Sequence, residues 1–304
     1  MPSSADPVHT LADLARWSPG GTFLAVLGHP ITHSLSPVMH NAALARDHPH
    51  FHDWHYVRFD VPPADLPAAL ELLHQKKFRG LNLTVPHKIL AFERVAQIDP
   101  AALRVGAVNT LVWTERGWRG HNTDGYGLAA AVRETLGREL ASSHIILLGA
   151  GGAARAAAVE CLQQHCASLW IGNRTRTNLD TLLAVLAPLA GKIPLRDFLA
   201  ATPSASIPGG ALVINATSAG LHAGDAPPVD LRKLPRPASV FDMIYNPPET
   251  PLLTQARALG LPRANGLAML VHQGAKSLEI WTGVPAAQTA PIMRAAAVAA
   301  MRGA

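Results

Sequence analysis

Short apolar runs alternate with stretches of helical periodicity along almost the whole chain. Residues 11–17 have the spacing of a short amphipathic helix, and residues 22–27 form an apolar strand closing in Gly28-His29-Pro30. A helix is expected over 38–45, with Ser36 as its N-cap and Pro37 at the first helical position, where a missing N–H does no harm. Residues 54–59 alternate with a period of two, whereas 64–76 repeat Leu66, Leu70 and Leu73 on one helical face. Residues 80–85 read as a further strand, with a helix starting at Pro86. Strands over 108–113 and 118–120 flank a Glu115-Arg116-Gly117 turn, and 126–136 are helical.

The sharpest feature follows. The apolar run Ile145-Ile146-Leu147-Leu148 breaks into Gly149-Ala150-Gly151-Gly152-Ala153-Ala154, and an Ala-rich helical stretch runs on to about Leu162. This is strand, tight turn, helix, with the dinucleotide spacing G-x-G-x-x-A at Gly149, Gly151 and Ala154. Gly149 lets the chain turn sharply, and Gly151 lets backbone approach a pyrophosphate. Ala154 lets the helix pack close to the strand, while the helix N-terminus offers free N–H groups to the anion. Strands over 168–171, 211–214 and 239–243 then alternate with helices over 179–186 and 252–259, and two helices close the chain over 267–281 and 285–301.

Strand–helix alternation of this kind argues for an α/β protein with mostly parallel sheets. Two such blocks, one on each side of the glycine turn, imply two domains. The seams fall near Thr123–Asp124 and Asn265–Gly266, so residues 1–123 plus 266–304 form one domain and 124–265 the other. The closing helices cross back to the first domain.

Composition narrows the function classes. The chain has 304 residues, 48% hydrophobic and 15% charged, enough for two separate cores. A formal charge of +5 comes without a dense Lys/Arg run or interleaved aromatics, so no nucleic-acid surface is visible and small anionic ligands are favoured. Cys161 and Cys166 are five positions apart on one helix, on different sides of it, which suits neither a disulfide nor a metal pair. The fifteen histidines show no metal-ligand spacing. Met1-Pro2-Ser3-Ser4-Ala5-Asp6-Pro7 lacks the basic and apolar regions of a signal peptide, and no apolar span approaches the ~20 residues a membrane helix needs. The expected compartment is the cytoplasm.

Nine motifs, in order, carry a family resemblance. They are Gly28-x-Pro30-x-x-His33-Ser34-x-Ser36-Pro37, Asn82-x-Thr84-Val85-Pro86-x-Lys88, Gly106-Ala107-Val108-Asn109-Thr110 and Asn122-Thr123-Asp124-Gly125 in the first part. Gly149-Ala150-Gly151-Gly152, Asn173-Arg174-Thr175, Asn215-Ala216-Thr217-Ser218, Asp242-Met243-x-Tyr245-Asn246-Pro247 and Asn265-Gly266-Leu267-x-Met269-Leu270-x-x-Gln273 continue the series. From about Leu24 to Trp281 the chain resembles the shikimate dehydrogenase family.

The resemblance implies reversible, NADPH-dependent reduction of 3-dehydroshikimate to shikimate, on the route to the aromatic amino acids, by a monomer or homodimer. It implies an N-terminal substrate domain completed by the C-terminal helices, with a Rossmann domain between. Lys88 stands where the family places its catalytic lysine, and a lysine ammonium can protonate the alkoxide that hydride transfer leaves. On spacing alone Lys88 is a solvated lysine in a first helical turn. Asp124 is the implied partner of Lys88, although an Asp before a helix is also a natural N-cap, a role Thr123 can take instead. Ser34 and Ser36 stand at a helix entrance suited to the substrate carboxylate. Thr84, Asn109, Gln273 and Tyr245 are the further implied substrate contacts.

The implied cofactor residues are Gly149, Ala150, Gly151, Gly152, Ala153, Asn173, Arg174, Thr175, Thr217, Met243 and Gly266. The residues themselves favour NADP(H) over NAD(H). NAD enzymes usually carry a carboxylate after the second strand of the dinucleotide fold, and here Asn173-Arg174-Thr175-Arg176 has none before Asp180. Arg174 can stack on adenine and pair with a 2′-phosphate. Many family members carry a second arginine four positions further on, where this chain has Asn178, leaving Arg176 as a substitute. A quinate/shikimate dehydrogenase with broader substrate and cofactor use is the nearest alternative. A catalytically idle sensor of a polyol acid and a methylene-tetrahydrofolate-type dehydrogenase are more distant ones.

Overall fold

A computed structural model describes residues 7–47, 49–201 and 206–303, so the leader reading of residues 1–6 lies outside the described residues. The chain divides into two compact units, Met1–Thr123 with Val271–Ala304, and Asp124–Leu270.

The first unit contains β1 (Val8–His9), α1 (Leu11–Ala15), β2 (Thr22–Gly28), α2 (Ser36–Asp47), β3 (Trp54–Asp60), α3 (Leu66–Gln75), β4 (Gly80–Leu83), α4 (His87–Leu90), β5 (Gln97–Ile98), α5 (Pro100–Val105), β6 (Thr110–Thr114) and β7 (Gly117–His121). Its sheet has seven strands in the order β1-β3-β2-β4-β6-β7-β5. Pairing is parallel except where β6 runs antiparallel to β4 and β7. That reversal follows from the two-residue connection Glu115-Arg116, closed by Gly117 at φ +114. On one face α3 buries Leu66, Ala69, Leu70 and Leu73 in a core with Phe59, Phe78, Leu81, Leu111 and Trp118. Burying one such large side chain stabilises by about 1.5–3 kcal/mol.

The second unit opens with α6 (Asp124–Leu136) and continues through β8 (His144–Leu148), α7 (Gly152–Gln163), β9 (Ser168–Asn173), α8 (Arg176–Ala190), β10 (Leu195–Leu199), β11 (Leu212–Asn215), β12 (Ser239–Asp242), α9 (Pro251–Ala258) and β13 (Arg263–Ala264). Its six strands are all parallel, in the order β10-β9-β8-β11-β12-β13. Counted from the unit's own first strand this is 3-2-1-4-5-6, the doubly wound dinucleotide-binding order. Ile146, Leu148, Val213, Val240 and Leu252 meet in the core. Cys161 is on α7, but Cys166 lies just past its end rather than on it. Both are free and buried, and burial raises both thiols, Cys166 to about 11, which leaves them inert.

Then α10 (Leu267–Thr282) and α11 (Ala286–Arg302) close the chain, and residues 271–304 belong to the first unit. There α11 packs on α2. On α10, the Trp281 indole N–H donates to the Leu111 carbonyl at 2.9 Å. It passes over Gly80, where a Cβ would lie 2.1 Å from Trp281 Nε1.

The periodicity located most elements and missed the shortest. Neither β1, β5, β10 nor β13 was expected: β1, β5 and β13 have two residues each, too few for a period, and β10 is an edge strand that buries only Phe198. Helix α5 had readable punctuation: the Asp99 side chain caps Ala101 N–H, Pro100 is at N1, and Gly106 ends the helix at φ +65. Helix α2 starts one residue earlier than expected. The Leu35 carbonyl accepts from Met39 N–H, so Ser36 is inside the first turn rather than at the cap, and its N–H donates to Ser34 Oγ at 3.3 Å. The helix expected from Pro86 is a single turn, α4.

His40, on α2, is stacked on Tyr56 with ring centroids 4.1 Å apart and planes 1° apart. Among the described residues neither of its ring nitrogens has a hydrogen-bond partner. Burial therefore lowers its pKa to about 3. The unfolded chain takes up this proton near pH 6.5 and the folded chain does not. Stability from this group is thus complete above about pH 6.5 and is lost as pH falls toward 3, by up to ~1.4 kcal/mol per unit. Urea denaturation at pH 6.5 and pH 5 should show His40→Phe losing less stability than the parent over this interval. An equal loss would contradict a neutral, buried His40.

Candidate active site

The first unit gathers polar side chains from four distant parts of the chain. Strand β4 is buried throughout, yet contains Asn82. The Asn82 amide donates to the Asn109 carbonyl at 3.1 Å, Thr110 Oγ1 at 3.2 Å and Ser277 Oγ at 3.0 Å, and its oxygen accepts from the Tyr56 hydroxyl at 2.8 Å. The Asn109 amide in turn donates to Thr123 Oγ1 at 2.9 Å and Gln273 Oε1 at 3.4 Å, while its oxygen accepts from Thr123 N–H at 2.8 Å. Gln273 and Ser277 are one turn apart on α10, so one helical face serves both. Burial pushes the Tyr56 hydroxyl up, against the opposing effect of Ser36, so it stays a donor.

Beside this cluster, Ser34 and Ser36 stand at the entrance to α2, half-buried and buried respectively. Thr84 is half-buried just after β4, and Gly28 makes room for it, since a Cβ there would lie 2.5 Å from Thr84 Cγ2. Lys88 is half-buried on α4. A one-turn helix has no stability of its own; here the Lys88 carbonyl accepts from Val108 N–H at 2.9 Å, and buried His87 donates from Nε2 to the Val61 carbonyl at 2.8 Å. The turn carrying Lys88 is thereby fixed to the residue before Asn109. Hydrogen bonds therefore join Asn109, Thr123 and Gln273, and the backbone of Lys88 is held to the residue before Asn109.

Asp124 and Tyr245 belong to the second unit. Asp124 is 3% exposed and is the first residue of α6, with Thr123 before it; Tyr245 is half-buried in the loop after β12.

In the second unit, the turn after β8 has the geometry its residues suggest. Gly149 has φ +116, and a Cβ there would lie 3.0 Å from the Ala216 carbonyl oxygen. Gly151 is the N-cap of α7, without a side-chain cap bond, and a Cβ placed on it would meet nothing within 4 Å. Gly151 is exposed, Gly152 and Ala153 are half-buried in the first turn of α7, and Ala154 is fully buried. This is a cradle into which a pyrophosphate fits. Thr217 lies at the end of β11, where its N–H and hydroxyl both donate to Asn215 Oδ1, at 3.0 and 2.7 Å. Asn215 donates to Asp242 Oδ1 at 2.9 Å, and Thr250 to Asp242 Oδ2 at 2.6 Å. Burial raises the Asp242 carboxyl, against these bonds and that from Ile244 N–H. Gly266 crosses Met243 so closely that a Cβ would lie 1.9 Å from the Met243 carbonyl oxygen.

Beyond β9, Asn173 donates to the Thr175 carbonyl at 2.9 Å, and Arg174 is exposed. Arg176, the arginine left as a substitute phosphate ligand, is exposed. It pairs with Asp180 at 2.7 Å and with Asp197 on β10. Among the described residues there is no group of three or more His, Cys, Asp or Glu that could hold a metal ion, and no helix long and apolar enough to cross a membrane.

Residues 26–111 match the family described as shikimate dehydrogenase substrate binding domain, and residues 266–298 match the shikimate 5'-dehydrogenase C-terminal domain. The NADP(+) shikimate dehydrogenase of Symbiobacterium thermophilum is 41% identical over 293 residues, 93% of this chain and 96% of that one. The chain belongs to the shikimate dehydrogenase family. Among solved structures, shikimate 5-dehydrogenase from Thermus thermophilus, in complex with NADP(H) and shikimate, has a TM-score of 0.76 at 34% identity, covering 90% of this chain and 99% of that one. The ligand-free 5-ketofructose reductase of a Gluconobacter strain has a TM-score of 0.75 at 32% identity, covering 91% and 99%. Family membership and fold are thus secure, while overall similarity alone spans more than one substrate.

Tyr56, Asn82 and Ser277 were not singled out from the sequence. Asn82 stood inside a quoted motif, but Tyr56 and Ser277 carry no local signal, because their partners are 26 and 195 positions away.

Proposed function

We propose that this chain is a cytoplasmic shikimate dehydrogenase that reversibly reduces 3-dehydroshikimate to shikimate with NADPH, on the route to the aromatic amino acids, as a monomer or homodimer. The observation that carries this reading is the hydrogen-bonded group of Asn109, Thr123 and Gln273, with the backbone of Lys88 held to Val108 next to it. A lysine on a turn anchored next to such short polar side chains suits a ketone on a polyhydroxylated ring. Residues 1–123 with 266–304 act as the substrate domain and residues 124–265 as the Rossmann domain.

Lys88 donates a proton to the carbonyl oxygen as it becomes an alcohol, and takes the hydroxyl proton in the reverse direction. Asp124 holds that ammonium in register and accepts from a ring hydroxyl. Ser34 and Ser36 bind the carboxylate, and Thr84, Asn109, Gln273 and Tyr245 bind ring hydroxyls or flank them. Short neutral donors and acceptors fix such a substrate by geometry, so an analogue missing a hydroxyl leaves buried groups unpaired.

NADP(H), when bound, supplies or accepts the hydride. Gly149, Ala150, Gly151, Gly152 and Ala153 would hold its pyrophosphate. Asn173, Arg174 and Thr175 would hold the adenosine 2′-phosphate, and Thr217, Met243 and Gly266 the remainder. Arg174 carries the discrimination against NAD(H).

Oxidation of shikimate, quinate and fructose, each with NADP+ and NAD+, tests the reading; shikimate with NADP+ should give by far the highest kcat/KM. Comparable quinate turnover would instead indicate a quinate/shikimate dehydrogenase, and preference for the neutral sugar would displace both. Lys88→Ala should lower kcat ~100-fold or more while KM for shikimate changes little; an unchanged kcat removes Lys88 from the chemistry. Arg174→Asp should lower the NADP+/NAD+ ratio of kcat/KM by about tenfold or more, and an unaltered ratio would assign the phosphate to another residue.

A further inference from the structure

Arg58 stands in the middle of β3 and is 8% exposed. Its neighbours Val57 and Phe59 face the opposite side of the sheet and pack in the α3 core. Arg58 therefore shares a face with Tyr56, whose hydroxyl belongs to the Asn82 cluster. A guanidinium in such a position is a liability unless its donors are used. Arg58 Nη1 donates to the Thr32 carbonyl at 2.6 Å and to the Ser34 carbonyl at 3.4 Å. Both carbonyls lie in the connection from β2 to α2, the segment that presents Ser34 and Ser36. The same segment is held from within by Ser34 N–H to the Ile31 carbonyl at 3.0 Å and Ser36 N–H to Ser34 Oγ.

We propose that Arg58 is a positioning residue for carboxylate recognition, clamping the Thr32–Ser34 backbone so that the two serine hydroxyls converge on an acid. The clamp rests on the reading of Ser34 and Ser36 as carboxylate ligands. It makes the enzyme selective for polyol acids over neutral polyols through a residue that does not touch the substrate. An irregular segment otherwise has no regular ladder to hold its carbonyls, and a charged donor that reaches two of them at once supplies one.

The test uses the full-length enzyme with saturating NADP+, and compares shikimate with its uncharged methyl ester. Arg58→Met should raise KM for shikimate about tenfold, with kcat within about twofold, KM for NADP+ unchanged, and no change in KM for the ester. Arg58→Lys, which keeps a charged donor group without the planar fork, should recover part of the loss, and it provides the same reading if Arg58→Met does not fold. Ser34→Ala alone should raise KM for shikimate, and adding Arg58→Met to it should raise KM by clearly less than the product of the two single effects, because the two act on one shared interaction. Equal losses for acid and ester, or additive losses in the double variant, would make Arg58 a general scaffold residue and overturn the proposal. An unchanged KM in both Arg58 variants, with a raised KM in Ser34→Ala, overturns this inference alone. An unchanged KM in Ser34→Ala removes the carboxylate reading and this inference with it.

Discussion

A buried primary amide governs the first unit. Asn82 sits in a strand with no exposed residue, and every polar atom of its side chain must find a partner inside the protein. It does so by joining β3 through Tyr56, β6 through Thr110, and α10 through Ser277. Leaving any one of those groups unpaired costs about 1–3 kcal/mol, so the network tolerates only one arrangement of strand and helix. The apolar packing of α10 could accept small slides along its axis. The hydrogen bonds of Ser277 and Gln273, four residues apart, could not. The same bonds that satisfy the core thus set where Asn109 and Gln273 present their remaining capacity, and the site inherits its precision from folding.

The second unit solves its problem with backbone. Its central strands β8 and β11 are apolar on both faces, as parallel strands under two helical layers must be. Polar chemistry is confined to their carboxyl ends, where β8 turns at Gly149 and β11 ends in Asn215-Ala216-Thr217. Asn215 and Asp242 lie opposite each other in register across β11 and β12 and share a hydrogen bond, so two neighbouring loops leave the sheet as a coupled pair. Met243 and Gly266, which follow from β12 and β13, then pass at a distance only a residue without a side chain allows.

How much of this was legible in the sequence depended on how local its cause is. The glycine turn after β8 was readable because its geometry, its helix and its anion cradle all come from six consecutive residues. Family motifs led to Lys88, Asn109 and Gln273, but not to the reason these residues are held where they are. That reason is long-range: Asn109 and Gln273 are 164 positions apart, and the backbone bond that seats Lys88 leaves no trace in side-chain pattern. Arg176 has a partner that its own neighbourhood does not announce. It stands beside Arg174 in the same loop, and Asp197, on an edge strand that buries only Phe198, pairs with its guanidinium. Ser36 was misplaced by one residue because the Leu35 carbonyl, not a serine hydroxyl, starts the helical ladder.

The return of residues 271–304 to the first unit has a consequence for biogenesis. Trp281 covers Gly80, and α11 covers α2, so during synthesis the sheet built from residues 8–121 waits for residues 271–302, which are made after the whole second unit. The interposed unit needs nothing from downstream of residue 270 and can condense on the ribosome as it emerges, as contiguous domains do. The lobe whose synthesis starts first is therefore completed last, and its apolar seam stays open until α11 has emerged.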